Sequence, residues 1–262
     1  MLNLKEYIKE SILDDEEVVF NDASVKSEIE KFIKGNYKCD RFTISNKPNK
    51  DGKFVVNGSN IQVTNKNITF LTNNLFIWGA VKGNFECSCC NSLTSLEGAP
   101  KEVGEDFYCY QCNSLKSLKG APKEVGGSFY CPDCKSLISL EGAPKKVGES
   151  FDCQRCDSLK SLKGAPEEVG EDFYCYNCKS LKTLEGAPEK VGGYFDCSDC
   201  DSLKTLEGAP QKVERSFYCS FCKSLASLEG APKEVGDSFN CIGNKFSIED
   251  IKKIVSAKHI TI

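Results

Sequence analysis

The chain has 262 residues and a net charge of −4 with both signs interspersed, a balance that disfavours a nucleic-acid footprint. No apolar run reaches the length of about 18 residues that a membrane span needs, and the start Met1-Leu-Asn-Leu-Lys has no signal-peptide apolar core. These features argue against a membrane-spanning helix and lead us to expect a soluble, cytoplasmic protein. Seventeen cysteines would suit an exported, oxidised scaffold. Their number is odd and no export signal accompanies them, so reduced thiols are expected.

In chain order, residues 1–53 read as a small helical, α+β region. Leu4, Tyr7, Ile8 and Ile12 share one helical face, with Asn3 and Glu6 spaced as a capping box and Asp14-Asp15-Glu16-Glu17 as the stop. A second helix is expected from Asp22 to Lys34, with Val25, Ile29, Phe32 and Ile33 on one stripe and Gly35 ending it. Such amphipathic helices pack on their own domain or dock a partner. From Cys39 to Val63 the pattern turns to short strands. The Asn57-Gly58 signal between Val55-Val56 and Ile61-Gln-Val63 suggests either a hairpin or a loose first coil. Residues 54–84 form a degenerate capping repeat, in which Leu75, Phe76, Ile77 and Trp78 supply apolar cover.

From residue 85 to 246 one sentence repeats with a period of 22. Phenylalanine opens it at 85, 107, 129, 151, 173, 195, 217 and 239. In the unit Phe129-Tyr-Cys131-Pro-Asp-Cys134-Lys-Ser-Leu137-Ile-Ser-Leu140-Glu-Gly142-Ala-Pro144-Lys-Lys-Val147-Gly148, alternation at Phe129-x-Cys131 predicts a strand with both side chains inward. Leu137, Leu140 and Val147 return to the same core. Gly142 permits a backbone that a side chain would obstruct, and Pro144 blocks a regular ladder. A lone unit of this size cannot offset its ordering entropy, so the units must stack. After the array, residues 247–262 read as a cap: Ser247 and Asp250 open a helix carrying Ile248, Ile251, Ile254 and Val255, and His259-Ile-Thr-Ile262 follows as a short strand.

The repeat resembles the leucine-rich repeat, L-x-x-L-x-L-x-x-N/C-x-L, with Phe and Cys at two leucine positions and one extra residue in Cys134-Lys-Ser-Leu137. It is most similar to the short 22-residue bacterial and bacteriophage type written with the phrase SLEGAPKEVG. The resemblance covers residues 60–246 and implies a leucine-rich-repeat solenoid of short parallel strands and irregular arcs, with no enzymatic activity. It also implies a phage accessory protein, either an inhibitor of a host factor or a virion-associated component.

Cysteine spacing offers a competing reading. Cys109-x2-Cys112-x18-Cys131-x2-Cys134 fits a zinc signature. However, seven C-x-x-C pairs leave one over, and the sole histidine, His259, lies outside the array. In the eighth unit Asn244 stands where the second cysteine belongs, as in a leucine-rich repeat. The thiols therefore read as core, with no cofactor. An enzyme seated in residues 1–60 is disfavoured because that segment is short and lacks histidine.

Two columns read as structural: Glu97, Lys119, Glu141, Lys163, Glu185, Glu207 and Glu229, whose first five alternate in sign, and Ser92 through Ser224, expected to bond turn backbone. Function is expected on the outward strand positions, Glu86, Tyr108, Tyr130, Asp152, Tyr174, Asp196, Tyr218 and Asn240, with Tyr110, Tyr176 and Phe221 close by. Tyrosines separated by acids suit a protein-binding surface; they also suit cross-strand stabilisation of a sheet. Arg155, Arg215, Phe221 and Trp78 depart from the repeat and point to selected contacts or, for Trp78, to the core of the cap. The expected partner is a protein of unknown identity, with neither nucleic acid nor membrane.

Overall fold

The computed structural model describes residues 22–262; the helix expected from Leu4 lies outside them. Helix α1 runs Asp22–Asn36, one residue past Gly35, and buries Ile29 and Ile33 while Val25 and Phe32 pack partly against the same core. The Asn36 side chain donates to the Phe32 carbonyl at 2.8 Å, satisfying an end group that glycine alone would leave open.

Strands β1 (Tyr37–Cys39) and β2 (Phe42–Ile44) run antiparallel to β4 (Ile61–Val63) and β3 (Phe54–Gly58) respectively. β3 does not form a hairpin with β4. It pairs in parallel with β5 (Phe76–Val81), while β4 pairs with β6 (Phe85–Glu86). Of the two alternatives for the Asn57-Gly58 signal, the first coil is therefore the observed one. Gly58 ends β3, and its carbonyl accepts from the Lys82 N–H of the next coil at 3.0 Å.

From here the chain is a β-solenoid of about nine turns. Each turn carries two parallel strands of two residues. One is the Phe strand, as in β10 (Phe129–Tyr130), shorter than the expected Phe129-x-Cys131. The second, as in β11 (Lys146–Val147), was not legible from the pattern as a strand. Between the repeat coils, from Phe85 to Asn240, the pairings are offset by 22 residues: Phe129 faces Phe151, and Lys146 faces Glu168. In β19 (Glu234–Asn240) the two strands merge into one. Helix α2 (Ile248–Lys252) is capped by Ser247 and Asp250 as read, and buries Ile251. Strand β20 (Ser256–Thr261), rather than that helix, lies along the last coil, paired with β19.

The core is a set of columns. The eight repeat phenylalanines are fully buried, and adjacent rings stack with centroids 5.0–5.4 Å apart, close to the inter-strand spacing that sets them. Leu137, Leu140, Val147 and their equivalents fill the rest. Trp78 seals the N-terminal end: it is buried edge-on to Tyr37 and Phe76, and its indole N–H donates to the Leu71 carbonyl at 2.9 Å. Gly142 has φ +90°, and a Cβ there would lie 2.5 Å from the Lys119 Cα. The Gly-Ala-Pro phrase is thus required by coil-to-coil approach.

Candidate functional site

The outward positions of the Phe strands form one continuous strip, because the 22-residue register stacks them. Tyr108 and Tyr130 lie face to face at 5.0 Å, and Tyr174 meets Tyr176 edge-on at 6.3 Å. Tyr218 meets Tyr194 at 6.0 Å, and the Arg215 guanidinium covers the Tyr194 ring at 5.6 Å. The hydroxyls of Tyr108 and Tyr174 donate to Asp106 and Asp172 at 2.7 and 2.8 Å. Burial, followed by these carboxylate acceptors, holds both phenols well above their ordinary range. The hydroxyls of Tyr108 and Tyr174 are therefore already engaged, which fixes the orientation of those two rings.

Two expected face residues are less open than the sequence suggested. Asp152 is only 6 % exposed. It folds back to accept from the Gln154 N–H at 2.9 Å and the Gln154 amide at 2.7 Å. Burial pushes its carboxyl up, and those donors pull it part of the way back. Asp196 behaves alike, with burial raising its carboxyl and the Ser198 N–H, at 2.8 Å, opposing. Tyr110 is half-buried in the next outward position.

Arg155 and Phe221 are not on the strip. Both occupy the left-handed turn after it, at φ +56°, in a column with Cys89, Gln111, Asp133, Asn177 and Asp199. Phe221 is 51 % exposed, its ring lying over Gly243, and Arg155 sits 3.9 Å from Asp133.

Beside the strip runs a polar ladder that the sequence reading missed. Asn84 Oδ1 accepts from the Asp106 N–H, Asp106 Oδ1 from Ser128, Ser128 Oγ from Ser150, Ser150 Oγ from Asp172, and Asp172 Oδ1 from Tyr194, at 2.7–3.3 Å. Each coil thereby satisfies a backbone donor of the next. The sequence signal was a column of Asn, Asp and Ser immediately before each Phe. Tyr194 breaks that column, which places its ring beside Arg215.

The cysteines form the second feature. Eight first cysteines, Cys87 to Cys241, and seven second ones, Cys90 to Cys222, are buried and free. Each second thiol from Cys112 to Cys222 donates to the carbonyl of the first cysteine one coil back, as Cys134 does to Cys109 at 3.2 Å and Cys156 to Cys131 at 3.3 Å. Asn244 makes the same contact with its amide, donating to the Cys219 carbonyl at 2.8 Å. Among the described residues no three His, Cys, Asp or Glu side chains converge as a metal site would require. Burial pushes the thiols up, Cys241 to about 11 and Cys90, Cys178 and Cys222 to about 12. In the pair Cys87–Cys112, burial holds Cys87 high while a hydrogen bond from its thiol lowers Cys112. Cysteine suits this place because it offers one donor and demands no acceptor partner of its own. Asn244 leaves its Oδ1 buried without a partner.

A substitution pair isolates that hydrogen bond. Asn244→Leu strands the Cys219 carbonyl and should lower stability by about 1–3 kcal/mol, whereas Asn244→Cys keeps a donor and removes the orphaned oxygen, leaving stability unchanged or raised. Denaturant midpoints of the two variants check the order; an Asn244→Leu protein as stable as the parent would refute it.

The remaining ladders are surface ones. Lys119 pairs with Glu97 at 3.3 Å and Lys163 with Glu185 at 2.9 Å, as the alternating column suggested. Of the serine column, Ser158 and Ser202 donate to the Lys135 and Lys179 carbonyls at 2.7 Å. No helix among the described residues is long and apolar enough to cross a membrane. In comparison with known proteins, no family model matches the chain, and no curated protein and no solved structure matches it.

Proposed function

We propose that this chain is a non-enzymatic scaffold of the leucine-rich-repeat type that binds another protein through its tyrosine strip. The observation that carries the reading is the strip itself. Tyr108, Tyr130, Tyr174, Tyr176, Tyr194 and Tyr218 present partly exposed rings held in fixed pairs, which offers apolar area at low ordering cost. Acids and Arg215 interleave them and supply directional contacts. The leucine-rich-repeat assignment is supported by the Asn244 hydrogen bond and by the paired core leucines. The phage accessory role and the cytoplasmic, bacterial setting rest on the SLEGAPKEVG resemblance.

Replacing Tyr108, Tyr174 and Tyr218 together by Ala should abolish capture of a host-cell protein by the immobilised full chain, while far-UV circular dichroism stays unchanged. The matching Phe replacements should retain capture, because the rings rather than the hydroxyls carry the contact. Capture undiminished in the Ala variant would remove the strip as the binding surface.

A further inference from the structure

The charged columns of the solenoid mostly place opposite signs on neighbouring coils. Lys135 meets Asp157 at 3.0 Å, Lys179 meets Asp201 at 3.3 Å, and Lys223 meets the same Asp201 at 3.2 Å. Lys146 likewise meets Glu168, and Lys163 meets Glu185. Where lysines do repeat, as at Lys101, Lys123 and Lys145, glutamates Glu102 and Glu124 stand at the adjoining positions and Glu167 closes the run.

One lysine column departs from this pattern furthest. The position after the first repeat leucine reads Lys116, Ile138, Lys160, Lys182 and Lys204 on successive coils, all exposed. The stacking is direct: Ile138 donates its N–H to the Lys116 carbonyl and Lys182 to the Lys160 carbonyl, both at 3.0 Å. At the inter-strand spacing of about 4.8 Å, like charges in register repel. None of these four lysines has an ion pair among the described residues. Their chain neighbours offer no acid either, being an inward leucine on one side and Ser117, Ser161, Thr183 or Thr205 on the other. Set into the same column is Ile138, a large apolar side chain 55 % exposed.

We propose that this column is a docking track for an acidic polypeptide segment, in which carboxylates pair with Lys160, Lys182 and Lys204 and an apolar side chain rests on Ile138. Complementary charge fixes the sign of the occupant. The exposed isoleucine selects a polypeptide over a nucleic-acid backbone, which has no aliphatic group to set against it. The track lies on the arc, away from the tyrosine strip, so it stands independently of the role given to the tyrosines.

Fluorescence anisotropy of a labelled glutamate-rich peptide with one central leucine, titrated with the full chain, tests the proposal. Binding is expected at low salt, weakening as salt is raised, since exposed charges are screened within about 8–10 Å at physiological ionic strength. Reversal of Lys160, Lys182 and Lys204 to Glu should weaken binding by roughly tenfold or more. The matched reversal of Lys101, Lys123 and Lys145 should leave it nearly unchanged, and replacing the peptide leucine by serine should weaken it. Unchanged far-UV circular dichroism and an unchanged denaturant midpoint in each variant control for folding. The proposal is overturned by no binding at low salt, by equal loss in both reversals, or by an oligothymidylate of similar length binding more tightly than the peptide.

Discussion

Raising the pH through about 9 to 10 should unfold the solenoid. The cause is the thiol ladder. Fourteen of the fifteen core cysteines have thiols pushed above their ordinary range by burial. Below the unfolded-state value of about 8.5, both states hold these protons and stability is at its full level. Above it, only the unfolded chain ionises, so stability falls as pH rises until the folded-state values are reached. Each thiol contributes up to about 1.4 kcal/mol per pH unit. Together they amount to roughly 20 kcal/mol about one unit above the unfolded value, which exceeds the whole net stability of an ordinary domain at about 5–15 kcal/mol. Circular dichroism against pH, with a denaturant midpoint at each step, measures this directly. Zinc thiolates would behave in the opposite sense, since metal binding strengthens as its ligands deprotonate. A midpoint that holds constant or rises to about pH 10 would therefore restore the metal reading and discard the thiol core.

Phe151→Ala should be the most damaging single core change and should divide the molecule. Phe151 is fully buried between Phe129 and Phe173, with both centroids at 5.4 Å. Truncating such a ring costs about 3–5 kcal/mol, a figure that includes the stacking on its two faces. In a solenoid each coil touches only its neighbours, so the change weakens two adjacent interfaces in the middle of the stack. The single tryptophan, Trp78, reports only the N-terminal end, whereas far-UV circular dichroism reports the whole chain. In the parent protein the two signals should change together on adding guanidinium chloride. In Phe151→Ala they should separate, with the C-terminal coils melting first, because they lack the aromatic seal of Tyr37, Phe76 and Trp78. Coincident transitions in the variant would show that the coils unfold as one body regardless of the interruption.

Much of this architecture was legible because it follows from side-chain volume repeated at fixed spacing. Phe, Cys, Leu and Val at constant offsets can only share one core, and the period alone implies stacking. The Ser247–Asp250 cap and the buried role of Trp78 followed from equally local chemistry. What escaped the sequence was whatever depends on the neighbouring coil. Lys146-Val147 becomes a strand because Glu124-Val125 and Glu168-Val169 flank it, not because two residues have a periodicity. The hairpin alternative at Asn57-Gly58 failed because parallel partners 22 residues away outcompeted the adjacent strand. Asp152 was expected on the open face, yet Gln154, two residues on, turns it inward. The lysine column is a further case: its members lie at multiples of 22 residues along the chain, and stacking of the coils brings them side by side.

The in-register stacking has a consequence for how such a molecule can change length. Backbone geometry repeats every 22 residues, but two surface columns of the central coils repeat every 44. Tyr130, Asp152, Tyr174, Asp196 and Tyr218 alternate, as do Lys135, Asp157, Lys179, Asp201 and Lys223. Removing one coil would leave the core columns aligned while setting lysine against lysine, or aspartate against aspartate, at the new seam. Removing two would restore the alternation in both of these columns. In these two columns, gain and loss of length should therefore be tolerated most easily in doublets, as in a wall laid in alternating courses.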